Sequence, residues 1–403
     1  MVFLPGSIYD ASKPLNPLTP LQENSKAQEK NPASIIFQAQ IPDSLRKARM
    51  QPTIRVAYNI ISTIIFPIGL CRLLHRQLHK IAGKYIVVAQ NIKDNEKISE
   101  GRANLLTHFQ GTPLTLRTPD NVLIDAMHIP GRKDGENVPQ NAPTVILLRG
   151  NKSCYEYSGL KYELGLKVTN GESAINMWCE HDNLRDFVDR GFNVLLFNYR
   201  GVGQSGGHAS CDGLVLDAES TFQYVNKELG VPEEKILLYG HSLGGAIAAQ
   251  VATMHDRVSV CNDRSFSSLG KAVHYVLSNS SSLAGIVVKA LSFLGWDYDS
   301  VDAWNRIKGT KTIVYHPEDD EIVNEINLLK CLRENNIKTG SVVELNNYQS
   351  VLEELKEKEN EAYLAIDTVR EVTEIIFKES HNRKQLPEEM NATLKEFASG
   401  HSK

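Results

Sequence analysis

The stretch 235–249, KILLYGHSLGGAIAA, decides the fold of this chain. It runs from an apolar segment of strand length, through Gly240, Ser242 and Gly244, into small residues of helical character. A serine on a very tight strand-to-helix turn has strained dihedral angles, and only minimal side chains two residues to either side avoid a clash. The pattern therefore predicts that the Ser242 hydroxyl projects above a sheet. The N–H groups of the following helix would lie beneath it, ready to stabilise an oxyanion.

Strands and helices alternate on both sides of this turn. A hairpin is predicted first, from strands 114–117 and 122–129, and after it apolar runs of strand length alternate with amphipathic segments. Short, continuously apolar strands between helices are typical of a mostly parallel sheet that is covered on both faces. The predicted strands are 144–148, 193–197, 235–239, 258–261 and 310–315, and the predicted helices include 183–190, 214–229 and 246–254.

Two connections are long for this architecture, residues 152–181 and 267–305. The second contains 283–296, LAGIVVKALSFLGW, which is very apolar and has a helical period. Long inserts after the carboxyl ends of strands often cover the site in such folds. Both a substrate-facing lid and a plain packing helix fit residues 267–305.

The motif GHSLGG in this setting resembles the nucleophile elbow of the α/β-hydrolase superfamily. Three further segments are similar to that superfamily in the expected order: the oxyanion loop at Arg149-Gly150-Asn151, the loop NYRGVGQS at 198–205, and the acid loop HPEDDEIV at 316–323. The resemblance covers residues 113 to 397 and implies an α/β-hydrolase fold with esterase, thioesterase or lipase-like activity. A narrower resemblance, to chlamydial CHLPS-type proteins and SidB-like secreted effectors of Legionella, rests on DRSFSSL at 263–269, the basic apolar N-terminal region and a Glu-bearing C-terminal segment. It would imply secretion into a host cell.

The resemblance also implies a catalytic triad. Ser242 is the expected nucleophile, which needs an adjacent base. Asp320 matches the acid position, with Asp319 as the alternative because Pro317 stands where the family has glycine. His381 is the expected base, since it follows the strand-like segment 372–377, and the alternative is His401.

The expected oxyanion donors are the backbone N–H of Leu243 and one from the loop of Gly150 and Asn151, most simply that of Asn151. Arg149 stands where the family usually has histidine. The chain has no Walker loop, complete dinucleotide fingerprint or zinc-ligand spacing, so no cofactor and no metal are expected.

Charge is unevenly distributed along the chain. The balance of 44 basic against 48 acidic residues argues against a nucleic-acid binder that relies on bulk positive charge. Residues 44–90, however, contain basic residues and no acidic one, and 56–71 is uncharged and apolar. Residues 56–71 have three interpretations: a segment that lies on an anionic membrane, a buried helix, or a membrane span. The six scattered cysteines are expected to be free thiols.

These observations predict three regions. Residues 1–45 are a disordered or loosely attached arm, 46–112 a basic, apolar, mostly helical region close to a membrane, and 113–403 the α/β-hydrolase domain with a candidate lid at 267–305. The expected function is hydrolysis of carboxylic ester or thioester bonds of lipid or acylated substrates, at the cytoplasmic face of a membrane. The alternative is a membrane-docking interaction protein that keeps the hydrolase scaffold without useful turnover.

Overall fold

The computed structural model describes residues 35–42, 66–91, 96–160, 184–277, 281–315 and 326–344. Their main element is a nine-stranded sheet in the order β1-β2-β3-β7-β6-β8-β9-β10-β11, and β4 and β5 form a separate small ribbon. The strands are β1 Ile35–Gln38, β2 Thr112–Arg117, β3 Leu123–Ile129, β4 Arg132–Lys133, β5 Glu136–Asn137, β6 Thr144–Leu148, β7 Asn193–Phe197, β8 Ile236–His241, β9 Ser259–Asp263, β10 Lys311–Tyr315 and β11 Ser341–Glu344.

Within the nine-stranded sheet, β3 is antiparallel to both of its neighbours, and every other pair is parallel. Helices cover the sheet on both faces. They are α1 Phe66–Ile86, α2 Glu96–Thr107, α3 Tyr157–Leu160, α4 Leu184–Asp189, α5 Cys211–Gln223, α6 Leu243–Ala252, α7 Leu269–Val276, α8 Ser281–Phe293, α9 Ser300–Arg306 and α10 Leu328–Glu334. This is the α/β-hydrolase fold, as the motifs predict.

The central strands explain why the sequence folds this way. Every residue of β6 (TVILL) and of β7 (NVLLF) is buried, and such continuous apolar runs are stable only where both faces of a sheet are covered. The predicted bounds of these two strands are confirmed, as is the hairpin of β2 and β3. Strand β8 reaches His241, two residues further than predicted, because Gly240 and His241 still pair with β9.

The prediction of a loosely attached arm is wrong for residues 35–42. Ile35–Gln38 forms β1, which pairs in parallel with β2 at the edge of the sheet. Phe37 and Ala39 are buried, and the ring of Phe37 packs edge-on against Tyr224, with the centroids 5.6 Å apart. Packing against residues distant in the chain holds this segment in the sheet, although the surrounding sequence is polar. Residues 1–34 and 43–45 lie outside the described residues.

The basic N-terminal region contributes α1 and α2 to the structure. Residues 46–65, which include most of the apolar stretch 56–71, lie outside the described residues. Among the helices that the structure describes, none is both long enough and apolar enough to cross a membrane.

The insert 267–305 contains α7, α8 and α9, and it is anchored at its base. Ser268 and Asp299 form an isolated antiparallel bridge, and the Tyr298 hydroxyl donates a hydrogen bond of 2.7 Å to the carbonyl oxygen of Cys211. Trp296 is buried beside them. The insert therefore rests on the start of α5, and its role as a lid stays a prediction.

Candidate active site

Ser242 occupies a strained turn between β8 and α6. Its φ is 51° and its ψ is −118°, a conformation that residues with a side chain rarely adopt. Two backbone hydrogen bonds of 3.0 Å stabilise it: the Ser242 N–H donates to the carbonyl of Asp263, and the Gly245 N–H donates to the carbonyl of Ser242. The turn predicted from Gly-x-Ser-x-Gly is therefore present, with the serine at its apex.

The flanking glycines are required by close backbone contacts. A Cβ at Gly240 would collide with the carbonyl of Gly244, and a Cβ at Gly244 would collide with the carbonyl of Leu148. Both obstacles are backbone atoms, which cannot rotate away as a flexible side chain could. The two positions accept only glycine for the physical reason that the sequence pattern indicates.

The loop after β6 lies directly beside the elbow. An ideal Cβ at Gly150 would be 3.6 Å from the Ser242 Cβ and 3.4 Å from the His241 Cδ2. Leu243 is the first residue of α6, where backbone N–H groups have no acceptor within the helix. The structure thus brings Ser242, Leu243 and Gly150 together, and Asn151 follows Gly150 in the same loop.

The N-terminal region contacts this loop, which the motifs do not predict. The Ala89 N–H, in a 3₁₀ turn at Val88–Asn91, donates a hydrogen bond of 2.8 Å to the carbonyl oxygen of Asn151. The Gln90 side chain donates to the carbonyl of Gly83 at 2.8 Å, and its oxygen lies close to Gly201 of the loop after β7. Residues before the predicted domain boundary therefore fix the position of the candidate oxyanion loop.

Asp263, at the carboxyl end of β9, is the centre of a buried polar cluster under the elbow. Its carboxylate accepts hydrogen bonds from the Tyr239 hydroxyl at 3.1 Å and from Arg264 at 2.7 and 3.0 Å, and it lies 3.2 Å from the His241 Nδ1. Burial alone would raise the pKa of Asp263. The charge of Arg264 and the contact with His241 outweigh burial, and the pKa lies well below its ordinary value.

This cluster ties the nucleophile to the neighbouring strand through both the backbone and the side chain of Asp263. The sequence motifs predict no role at the site for Asp263. A signal was available, since Asp263 follows the buried strand next to the elbow strand, and the carboxyl ends of parallel strands share one edge.

A second polar network supports the loop after β6 from behind. Arg102 of α2 makes two hydrogen bonds of 2.8 Å to the carboxylate of Asp125, which also accepts one of 2.9 Å from the Tyr155 hydroxyl. The Asn198 amide donates to both oxygens of Glu156, at 3.1 and 2.9 Å. Burial raises the pKa of Glu156 despite these bonds. The network joins α2, β3 and the loops after β6 and β7.

Arg200 holds the loop NYRGVGQS to the body of the protein. It is nearly fully buried and forms ion pairs of 2.8 Å with Asp120 and Asp217. Its backbone N–H also donates to Asp217, at 2.8 Å. The guanidinium of Arg200 therefore binds carboxylates of the protein itself, which is a structural role.

The expected acid and base lie outside the described residues. This applies to Asp320, His381 and the alternatives Asp319 and His401, so the triad remains a prediction. Strand β10 ends at Tyr315, immediately before the acid loop, and it pairs with β9. The carboxyl end of β10 therefore lies at the edge of the sheet that carries Ser242 and Asp263. No group of metal-binding side chains occurs within the part of the chain that the structure describes.

Residues 176–262, which include the elbow, match the family model described as serine aminopeptidase, S33. Protein bem46 of Schizosaccharomyces pombe is 26% identical over 215 residues, which cover 52% of this chain and 60% of that protein. The alpha/beta hydrolase domain-containing protein aho-3 of Caenorhabditis elegans is 28% identical over 138 residues, 33% of this chain and 36% of that protein. A crystal structure of an alpha-beta hydrolase from Vibrio vulnificus has a TM-score of 0.49 at 17% identity and covers 78% of this chain and 90% of that one.

The strained serine at the elbow, the fold around it and the family match define the class. The chain has the α/β-hydrolase fold, and the segment with the elbow is similar to the serine aminopeptidase family. The match spans less than two thirds of the length of either curated relative. The resemblance to the superfamily is confirmed, and the narrower resemblance to the chlamydial and Legionella effectors is not supported by these comparisons.

Proposed function

We propose that this protein hydrolyses carboxylic ester or thioester bonds through an acyl-enzyme on Ser242. The geometry of the elbow carries the proposal. Ser242 is held at φ 51° between Gly240 and Gly244, with the Gly150 loop beside it. Strain of this kind persists only where the surrounding structure enforces it, and it is typical of a group that must be presented to a substrate.

In the proposed reaction, His381 takes the proton of the Ser242 hydroxyl while the oxygen attacks the acyl carbon. Asp320 orients the imidazole and stabilises its charged form. The N–H groups of Leu243 and Asn151 stabilise the oxyanion, and each such donor typically contributes about 3 kcal/mol to lowering the barrier. The alcohol or thiol leaves with the proton from His381. Water then attacks the acyl-serine and gives up a proton to His381. His381 passes that proton to the Ser242 oxygen as the acyl–oxygen bond breaks, which releases the carboxylic acid and restores the Ser242 hydroxyl.

Lipid or acylated-protein substrates are the proposed class, met at the cytoplasmic face of an anionic membrane. The apolar helix α8 belongs to the insert that follows β9, and the carboxyl end of β9 lies at the edge of the sheet that carries Ser242. The basic helix α1 leads into the turn that contacts the candidate oxyanion loop. Both features favour substrates with long apolar chains over small soluble esters.

Labelling with a fluorophosphonate probe tests the nucleophile. We expect the wild-type protein to be labelled and Ser242→Ala to remain unlabelled, with turnover of p-nitrophenyl esters lost in the same variant. Equal labelling of the two proteins would exclude Ser242 as the nucleophile. No labelling and no turnover in the wild type would instead favour the hydrolase scaffold without catalysis.

Paired variants test the acid and the base. His381→Ala and Asp320→Ala should each abolish turnover of the same esters, and His401→Ala and Asp319→Ala are their matched controls. Loss of turnover in a control variant alone would reassign the role to that residue. Comparing short-chain with long-chain esters, at concentrations below their aggregation limits, measures the preference for apolar acyl groups.

A serine aminopeptidase is the second candidate, and the family match over residues 176–262 favours it. Attack of Ser242 on an amide carbonyl uses the same groups, and the leaving group is then an amine. Aminoacyl p-nitroanilides separate the candidates. Turnover of anilides at a higher kcat/KM than that of any ester would favour the peptidase.

A further inference from the structure

Two neighbouring helices expose large apolar side chains on one surface, which we name the α1–α8 face. Tyr85 on α1 is 79% exposed and Phe293 on α8 is 78% exposed, and four smaller apolar side chains lie on the same two helices. Isolated exposed apolar residues are ordinary, but a group of this size on neighbouring helices usually marks an interaction site. The face consists of Leu74, Leu78, Ile81, Tyr85, Ile286 and Phe293.

The two helices form a single surface. The ring of His75 packs edge-on against Phe293, with the centroids 6.1 Å apart. Positions 74, 78, 81 and 85 recur at the spacing of one helical face. The opposite side of α1 is packed on the protein, since Ala82 and Ile86 are buried and a Cβ at Gly83 would meet the Ala209 carbonyl. The helix is therefore anchored, and its outward side is apolar.

The helices at this face carry basic residues and no acidic ones. None of the 48 acidic residues of the chain lies in α1, α7 or α8. His208 next to α1 has a lowered pKa because of burial and the nearby charges of Lys80 and Lys84. The acidic side chain of Asp212 also lies near α1, where it interacts with His79. The basic residues of the three helices are Arg72, Arg76, Lys80, Lys84, Lys271 and Lys289.

An apolar helix face flanked by basic residues fits an anionic lipid bilayer. Apolar side chains enter the boundary between headgroups and acyl chains, and lysines beside them are attracted by the surface potential. A second copy of this chain fits poorly, because its identical face would bring basic residues against basic residues. Because α1 is packed on the protein along its opposite side, binding in the plane of the interface is the mode that this face allows.

We infer that the α1–α8 face docks this protein on an anionic lipid bilayer. Both helices are connected to elements around Ser242, because α1 leads through Ala89 to the carbonyl of Asn151 and α8 belongs to the insert after β9. The inference rests on the proposed function only where it places an acyl substrate in that bilayer. Docking itself requires no turnover.

Flotation of the full-length protein with vesicles tests the face. The vesicles contain either phosphatidylcholine alone or phosphatidylcholine with about 30 mol% phosphatidylserine, enough to create a negative surface potential. The wild type and Ser242→Ala should both float with the phosphatidylserine vesicles. Raising the salt concentration from about 0.1 M to about 1 M, which shortens the Debye length from about 10 Å to about 3 Å, should release much of the bound protein.

Three variants locate the contact. Tyr85→Glu with Phe293→Glu should abolish binding, and Lys80→Glu with Lys84→Glu should lower the partition coefficient on phosphatidylserine vesicles at least about tenfold. Ile36→Glu is the matched control, because Ile36 is 56% exposed on β1, and it should bind like the wild type. Hydrolysis of a short soluble ester and the thermal midpoint show whether each variant is folded.

The outcomes separate docking from catalysis. Wild-type binding by both double variants, or no binding by the wild type, would overturn the docking face whatever the ester assay gives. A concentration-dependent dimer that the Tyr85→Glu, Phe293→Glu pair disrupts would assign the face to a second copy. Vesicle binding without ester hydrolysis would leave the docking face standing and contradict the proposed function.

Discussion

Replacing Asp263 with asparagine should destabilise the protein strongly while preserving the size of the side chain. The carboxylate is almost fully buried, and it accepts hydrogen bonds from Tyr239 and Arg264 and contacts His241. An amide offers one acceptor oxygen and places N–H groups where the second oxygen stood. In either orientation, at least one donor of the cluster then faces another donor, and Arg264 loses its negatively charged partner.

The expected loss follows from this geometry. Breaking a buried ion pair by removing one charge typically costs about 3–5 kcal/mol, a large share of a total stability of about 5–15 kcal/mol. For a domain of this size we expect a fall in the thermal midpoint of about 10 °C. Urea titration should show a lower midpoint with an unchanged slope. Asp256→Asn is the control, because the ion pair of Asp256 with Lys308 is exposed, and it should leave the midpoint unchanged.

The dependence on pH tests the cause. The pKa of Asp263 is lowered in the folded protein, so its carboxylate contributes stability above the unfolded pKa of about 3.9, and this contribution is lost as the pH falls through the folded value. The difference in unfolding free energy between wild type and Asp263→Asn should therefore be constant near neutrality and shrink in acid. Equal midpoints at pH 7, or a difference that grows on acidification, would refute this account of the cluster.

Two further changes probe the elbow and a second buried pair. Gly244→Ala should abolish fluorophosphonate labelling, because the new Cβ collides with the backbone of Leu148. The control is Gly285→Ala, in an open helical position, which should leave labelling intact and stability unchanged or slightly higher. Normal labelling of Gly244→Ala would contradict the close contact. His255→Gln should destabilise the protein mainly at low pH. Burial lowers the pKa of His255, but the 2.8 Å contact with Glu219 outweighs burial, and the pKa is raised. The charged imidazole therefore contributes its full stabilisation below about pH 6.5, and this stabilisation is lost as the pH rises through the folded pKa. Urea titrations at about pH 5.5 and about pH 9 measure it, and an equal loss at both values would disprove the linkage.

The elements that could be predicted are those whose pattern is local. Strands β6 and β7 agree with the predicted bounds because an uninterrupted apolar run of five residues between polar neighbours has few alternatives. Helix α5 shows the limit of periodicity. It begins at Cys211, earlier than predicted, because the Ser210 side chain caps it by accepting a hydrogen bond from the Gly213 N–H. The apolar period continues beyond its end at Gln223, through a π-helical turn at Tyr224–Glu228.

Features that depend on distant pairing could not be predicted. Strand β1 is a four-residue segment in a polar context, and its partner β2 lies more than seventy residues away in the chain. The same holds at the site: Ser242 and Leu243 follow from one motif, whereas Asp263 reaches the elbow only because β9 pairs with β8. Burial and pairing across strands decide such positions, and neither is visible in a window of adjacent residues.

The N-terminal region shows that a change in amino-acid composition need not mark a boundary between parts of the chain that are stabilised independently. Residue 112 is the predicted end of the basic region, yet Arg102 crosses it to bind Asp125, and Ala89 crosses it to bind the Asn151 loop. Without Arg102, Asp125 would keep a buried charge with no cation beside it, which is costly in a protein interior. Without the turn at Val88–Asn91, the loop of Asn151 would lose the hydrogen bond that the Ala89 N–H donates to its carbonyl. The region that carries the proposed membrane contact therefore also supports the candidate oxyanion loop, through one short turn at Val88–Asn91.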